Sequence, residues 1–134
     1  MGLSVTGKNS ILSALCGKAN YVNLASVCYI GLMNSEGVEP TAATTGYARQ
    51  LLGNYAQSDS QAMGTAADGT ITNAKAISFP VADANWDVTV TQFGLFTSAT
   101  GGTPIFTGAL TTSVSVLKDY IATFVPSSLT ISVT

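Results

Sequence analysis

The stretch from Phe79 to Val114, FPVADANWDVTVTQFGLFTSATGGTPIFTGALTTSV, constrains the fold of this chain more than any other. It holds two strand-like runs joined by a glycine-rich turn, with the only tryptophan, Trp86, just before the first. Successive side chains of a strand point to opposite faces. Val88, Val90, Gln92, Gly94 and Phe96 therefore share one face, and Thr89, Thr91, Phe93 and Leu95 the other. Apolar groups occupy both faces towards the end of this run, which predicts cover on two sides. Gly101-Gly102-Thr103-Pro104 then turns the chain into Ile105–Leu110, a second strand.

The rest of the chain fits the same pattern. Residues 5–17 read as a short helix: Ile11, Leu12, Leu15 and Cys16 recur at helical spacing, Thr6 or Asn9 supplies a cap, and Gly17 a stop. So short a helix needs tertiary support, and its apolar stripe is expected on the sheet. Val27–Met33 is a strong strand, followed by the turn Asn34–Gly37 and a loop to Gly46. A second strand begins at Gly46, and residues 53–69, polar and without period, read as the flexible segment. Ile71–Pro80 reads as a third strand, ended by Pro80 or placed by it at an edge. Val114–Val116, Tyr120–Val125 and Leu129–Val133 follow, the last alternating cleanly between apolar and polar residues. Roughly six or seven short strands with turns between them predict an all-β fold. It is mainly antiparallel, sandwich or jelly-roll-like, with one short N-terminal helix, in a single domain over residues 1–134.

Only 9% of the 134 residues are charged and 46% are hydrophobic, against about 25% charged in an ordinary soluble domain. Few charges remain to keep molecules apart, so the surface suits a subunit covered by copies of itself or by a larger assembly. Lys8, Lys18, Arg49, Lys75 and Lys118 are scattered, with a net charge of −2. A phosphate-tracking surface needs clustered cations, so nucleic acid is not an expected partner. No apolar run approaches the roughly 18 residues that span a bilayer, and the first residues lack the layout of a signal peptide. The expectation is synthesis in the cytoplasm without signal-dependent export and without a membrane partner. That setting favours Cys16 and Cys28 as free thiols over a bridge.

The absence of histidine removes the commonest general base, metal ligand and partner of a Ser or Cys nucleophile. The carboxylates lie mostly in predicted loops. Asp83 and Asp87 flank Trp86 at a spacing conceivable for calcium or glycoside chemistry, but carboxylates in turns ordinarily bond to nearby backbone, and that reading is taken here. No enzyme, cofactor or metal is expected. Tyr47, Arg49 and Trp86 are the residues singled out for subunit contact or surface recognition. Tyr47 and Arg49 alternate on one strand face, where Arg49 is either stacked or ion-paired at a subunit contact or simply exposed. Trp86 is either a core plug at the base of a strand or a sugar-stacking platform.

Taken in order, GKNSILSALCG, VCYIGLM, GYARQ, ISFPVADANWDVTVTQFGLFTSATGGTPIFTGAL and the closing pair of strands resemble small tail-fibre-like structural proteins of phages and prophages. The resemblance spans nearly the whole chain. It departs at Asp87, where a glycine is expected after the tryptophan, and at Lys118-Asp119, where Gly-Asp is usual. It implies a non-catalytic virion building block, a homotrimer in contact with other virion proteins, as a tail-fibre or tail-associated component. A capsid decoration protein over joints between capsid subunits is the neighbouring alternative. A carbohydrate-binding module built on Trp86 is the alternative from another class, and no motif supports a glycan receptor.

Overall fold

The two runs of the opening stretch pair with each other and with Val27–Met33 to form the centre of the molecule. The structure, a computed structural model, describes residues 2–16, 27–54 and 56–132. In chain order the elements are β1 (Gly2–Leu3), α1 (Val5–Leu15), β2 (Val27–Met33), α2 (Ala42–Thr45), β3 (Gln50–Asn54), β4 (Thr70–Thr72), β5 (Ile77–Ser78), β6 (Val90–Phe96), β7 (Phe106–Val114), β8 (Thr123–Phe124) and β9 (Thr130–Ser132). Five strands form one antiparallel sheet in the order β1-β7-β6-β2-β3, and β4-β9 and β5-β8 form two short antiparallel ladders. The expected fold class, antiparallel all-β with one N-terminal helix, is the one observed.

Register explains the core. Ile30 sits opposite Leu95, Leu32 opposite Phe93, and Leu95 opposite Phe106, so their side chains share one face. Against it pack Ile77, Phe79, Ala82, Trp86, Val116 and Leu129 from the short ladders and the irregular chain around them. The larger aliphatic and phenyl side chains among them contribute about 1.5–3 kcal/mol each when fully buried. The other face of β6 is covered too: Gly94 and Phe96 are buried along with Phe93 and Leu95, as the apolar pattern predicts.

Several boundaries differ from the expected ones, each for a reason outside its local sequence. The strand expected over Ile71–Pro80 is split into β4 and β5 by Asn73, whose side chain is buried. Its amide donates to Lys75 O (2.8 Å) and Val125 O (2.9 Å) and accepts from Leu129 N (2.9 Å). A side chain bonded on three sides cannot also stand on a regular pleat. The strand expected at Gly46 starts only at Gln50, because residues 42–45 form one helical turn that Gly46 closes at φ 74°. Between β3 and β4, residues 56–69 carry defined bonds, among them Ala62 N to Leu52 O and a tight turn at Asp68-Gly69. Of Tyr120–Val125 only β8 is regular, and β7 ends at Val114. The closing strand alternates as expected, with Leu129 buried and Thr130 and Ser132 exposed. Gly17 and Val133 lie outside the described residues.

The helix needs a correction. Its cap is Ser4, not Thr6 or Asn9: Ser4 Oγ accepts from Gly7 N (3.1 Å), and Ser4 N donates to Ile105 O (3.0 Å). Its apolar stripe does not lie on the sheet either. Leu12 and Leu15 are 59% and 72% exposed. The inward face carries Gly7, where a Cβ would collide with the Ile105 carbonyl. Only the smallest residue permits that approach, so the helix docks by its small face and presents its large residues outward.

Candidate functional site

On the sheet face opposite the main core, two glycines paired across β2 and β6, Gly31 and Gly94, open a space that side chains from neighbouring segments fill. A Cβ at Gly31 would lie 2.5 Å from Glu39 Oε1, 2.9 Å from Phe96 Cε1 and 3.0 Å from Tyr47 Oη. Arg49, only 9% exposed, lies with its guanidinium carbon 3.4 Å from the centroid of the Phe96 ring. Its Nη2 donates to Glu39 Oε2 (2.8 Å) and its Nε to Oε1 (3.0 Å). Its Nη1 donates to the carbonyls of Ser98 (2.9 Å) and Gly101 (2.8 Å) in the β6–β7 turn. The guanidinium is thus paired edge-on with a carboxylate, stacked on a ring, and tied to a turn through main-chain oxygens.

Tyr47 joins this cluster to the main core. Its hydroxyl donates to Glu39 Oε1 (2.6 Å) and accepts from Leu32 N (2.9 Å). Burial, with the Glu39 carboxylate beside it, pushes the phenol well above the usual tyrosine range, so it stays protonated and keeps donating. The ring meets Trp86 edge-on at 5.4 Å and stacks on Phe79 at 5.9 Å. Trp86 is buried, and its Nε1 has no hydrogen-bond partner among the described residues. All three singled-out residues therefore make their contacts inside the chain. A stacking platform needs an open aromatic face, and Trp86 offers none; its geometry is that of the core plug.

The two aspartates beside Trp86 hold a neighbouring loop. Asp87 accepts from Thr41 N (2.9 Å) and from Thr41 Oγ1, and these bonds hold its carboxyl below the usual range. Asp83 N donates to Thr45 O (2.8 Å), and its carboxylate lies against Gly46. The 83–87 turn thus clamps both ends of α2. Asp119, the other departure from the fibre-like pattern, takes a left-handed φ of 72°. Among the described residues no group of three or more His, Cys, Asp or Glu side chains is placed to hold a metal ion. Cys16 and Cys28 are free thiols, and burial pushes the Cys28 thiol up to about 11.

The surface is where the arrangement can act. Apart from the helix residues, Val81, Val114, Leu117, Tyr120, Ile121 and Val125 are exposed, and Val114, Ile121 and Val125 line one open trough. Such regions mark contact sites when they are contiguous. No described helix is long and apolar enough to cross a membrane.

Reasoning from the sequence paired Tyr47 with Arg49 but missed Glu39, the carboxylate that binds both. Its signal was an acidic residue just before Pro40, in a loop leading to the Tyr-x-Arg alternation. Gly31 and Gly94, which make room for the cluster, leave no signal until the strands are paired in register. A family model described as podophage GP4 fiber I protein gp80 matches residues 2–132. No curated protein matches the chain.

Proposed function

Because the chain belongs to the podophage GP4 fiber I protein gp80 family, we propose that it is a tail-fibre or tail-associated subunit exposed on the virion, acting by packing rather than by catalysis. The observation that carries this reading beyond the family is the distribution of side chains. The ionisable cluster of Glu39, Arg49 and Tyr47 is consumed inside the chain, while large apolar residues stand outside it. Chemistry at a surface needs free polar groups, whereas attachment needs apolar area that a neighbour can cover. The subunit forms homotrimers and contacts other virion proteins through these surfaces.

Antibodies raised against the purified chain should decorate the tail end of phage particles in negative-stain micrographs. Decoration spread over the capsid faces would overturn the tail assignment in favour of a capsid decoration role. Light scattering at several concentrations tests the assembly separately. The expected mass is that of a trimer or a whole multiple of it, and a monomer independent of concentration would count against self-assembly.

A further inference from the structure

Between the buried Val116 and the half-buried Ala122 the chain makes a tight turn at the surface. Tyr120 N donates to Leu117 O (3.1 Å), and Asp119 takes its left-handed φ of 72° inside this turn. The turn is fixed from below. Lys118 N donates to Asn85 Oδ1 (2.8 Å), Asp119 N to Ala82 O (2.8 Å) and Ala82 N to Tyr120 O (3.0 Å). Just before it, Trp86 N donates to Val116 O (2.8 Å), and Ala82, Trp86 and Val116 are all buried. Outward the turn presents Leu117, Tyr120 and Ile121, each more than half exposed, with Val81 exposed next to Ala82. At its tip stand Lys118 and Asp119, both exposed. Among the described residues neither side chain makes a hydrogen bond or an ion pair. Glycine would take the Asp119 conformation at less cost, and the turn itself makes no use of the carboxylate. A residue held in an unfavourable backbone region without a local reason points to a use elsewhere.

We propose that this turn packs against the same turn of a second copy, about a two-fold axis passing between Lys118 and Asp119. Charge selects the occupant. Lys118-Asp119 is the one place in the sequence where charges of opposite sign adjoin. In a two-fold contact residue i meets j and j meets i. Lys118 of each copy then faces Asp119 of the other, and both unpaired charges are answered at once. A cation beside an anion in an apolar surround is its own complement, and a second copy is certain to carry it. The apolar residues supply the attraction, while the charges fix the register and reject other orientations. Because the turn is already held by its own bonds, contact adds little ordering cost. This contact rests on the reading of the chain as a self-assembling subunit, and it is separate from the contact that makes a trimer. Two-fold contacts of this kind around a three-fold axis would join two trimers into one closed assembly.

Charge reversal in the full chain tests the pairing. Lys118→Glu makes the tip wholly acidic, and Asp119→Lys makes it wholly basic. Each variant alone should keep the wild-type circular dichroism spectrum and show half the wild-type mass by light scattering in low salt. Mixed in equal amounts, the two should recover the wild-type mass, since an acidic tip then meets a basic one. Asp119→Gly, which removes the charge and eases the backbone, should also lower the mass without loss of fold, and it serves if Asp119→Lys folds poorly. An unchanged mass in Lys118→Glu would overturn the proposal, and so would a mixture of folded variants that stays at half mass. Crosslinking of Lys118 in intact particles only to a different virion protein would do the same. A wild-type mass of a single trimer would remove this contact and leave the trimer standing, whereas a wild-type monomer at every concentration would sink both.

Discussion

Glu39→Ala is expected to lower the free energy of unfolding by about 3 kcal/mol, the low end of what breaking a buried ion pair costs. The low end applies because the Glu39 side chain is 23% exposed, although the Arg49 side chain is only 4% exposed. The loss arises less from the attraction removed than from the guanidinium left behind. Arg49 would keep its two carbonyl partners and the Phe96 ring, but its Nε and Nη2 would face a protein interior without an acceptor. The Tyr47 hydroxyl would lose its acceptor in the same substitution. Against a total stability of about 5–15 kcal/mol for a domain, this is a large fraction. Urea unfolding monitored by circular dichroism measures it. Glu39→Gln retains one acceptor oxygen and should fall between wild type and alanine. A loss below about 1 kcal/mol would show that Arg49 swings out to water and that the pair resembles a surface salt bridge.

Trp86→Ala is expected to cost about 3–5 kcal/mol, the usual range for deleting a large buried aromatic side chain. The indole packs edge-on against the stacked pair of Tyr47 and Phe79, both of which meet it near a right angle. Poor yield or a protease-sensitive product is the expected result, and Trp86→Phe is the informative companion. Phenylalanine gives up area but removes an indole N–H that has no partner among the described residues, and an unsatisfied buried donor costs about 1–3 kcal/mol. The two effects oppose each other, so the Phe variant should stay close to wild type in its unfolding midpoint. A folded Trp86→Ala protein of normal stability that had lost binding to a glycan array would refute the core assignment and revive the sugar platform.

What could be read from the sequence was what adjacent residues decide. β2 and β6 declare themselves because β-branched and aromatic residues cluster and alternate within a few positions, and the loop between β6 and β7 because Gly101 and Gly102 take φ of 68° and 73°. The features that could not be read depend on residues far apart in the chain. Asn73 reads as an ordinary strand residue until Val125 and Leu129 are brought beside it. Helix α1 shows an apolar stripe that would ordinarily face inward. Its inversion follows from contact between Gly7 and Ile105, which no window of local sequence contains. The pairing of Glu39 with Arg49 required knowing that the loop before α2 returns across β2. In each case local preference was overruled by a tertiary contact.

The way Arg49 holds the β6–β7 turn has an evolutionary consequence. Its Nη1 grips the carbonyl oxygens of Ser98 and Gly101, atoms that every amino acid possesses. A turn anchored through its main chain is indifferent to most of its side chains. Thr97, Ala99, Thr100 and Thr103, all at the exposed tip, can therefore be exchanged by mutation while the strands beneath keep their register. The conformational demand falls on Gly101 and Gly102 alone. Selection acting on the outside of a particle would find here a short segment free to diversify, mounted on a base that does not have to change with it.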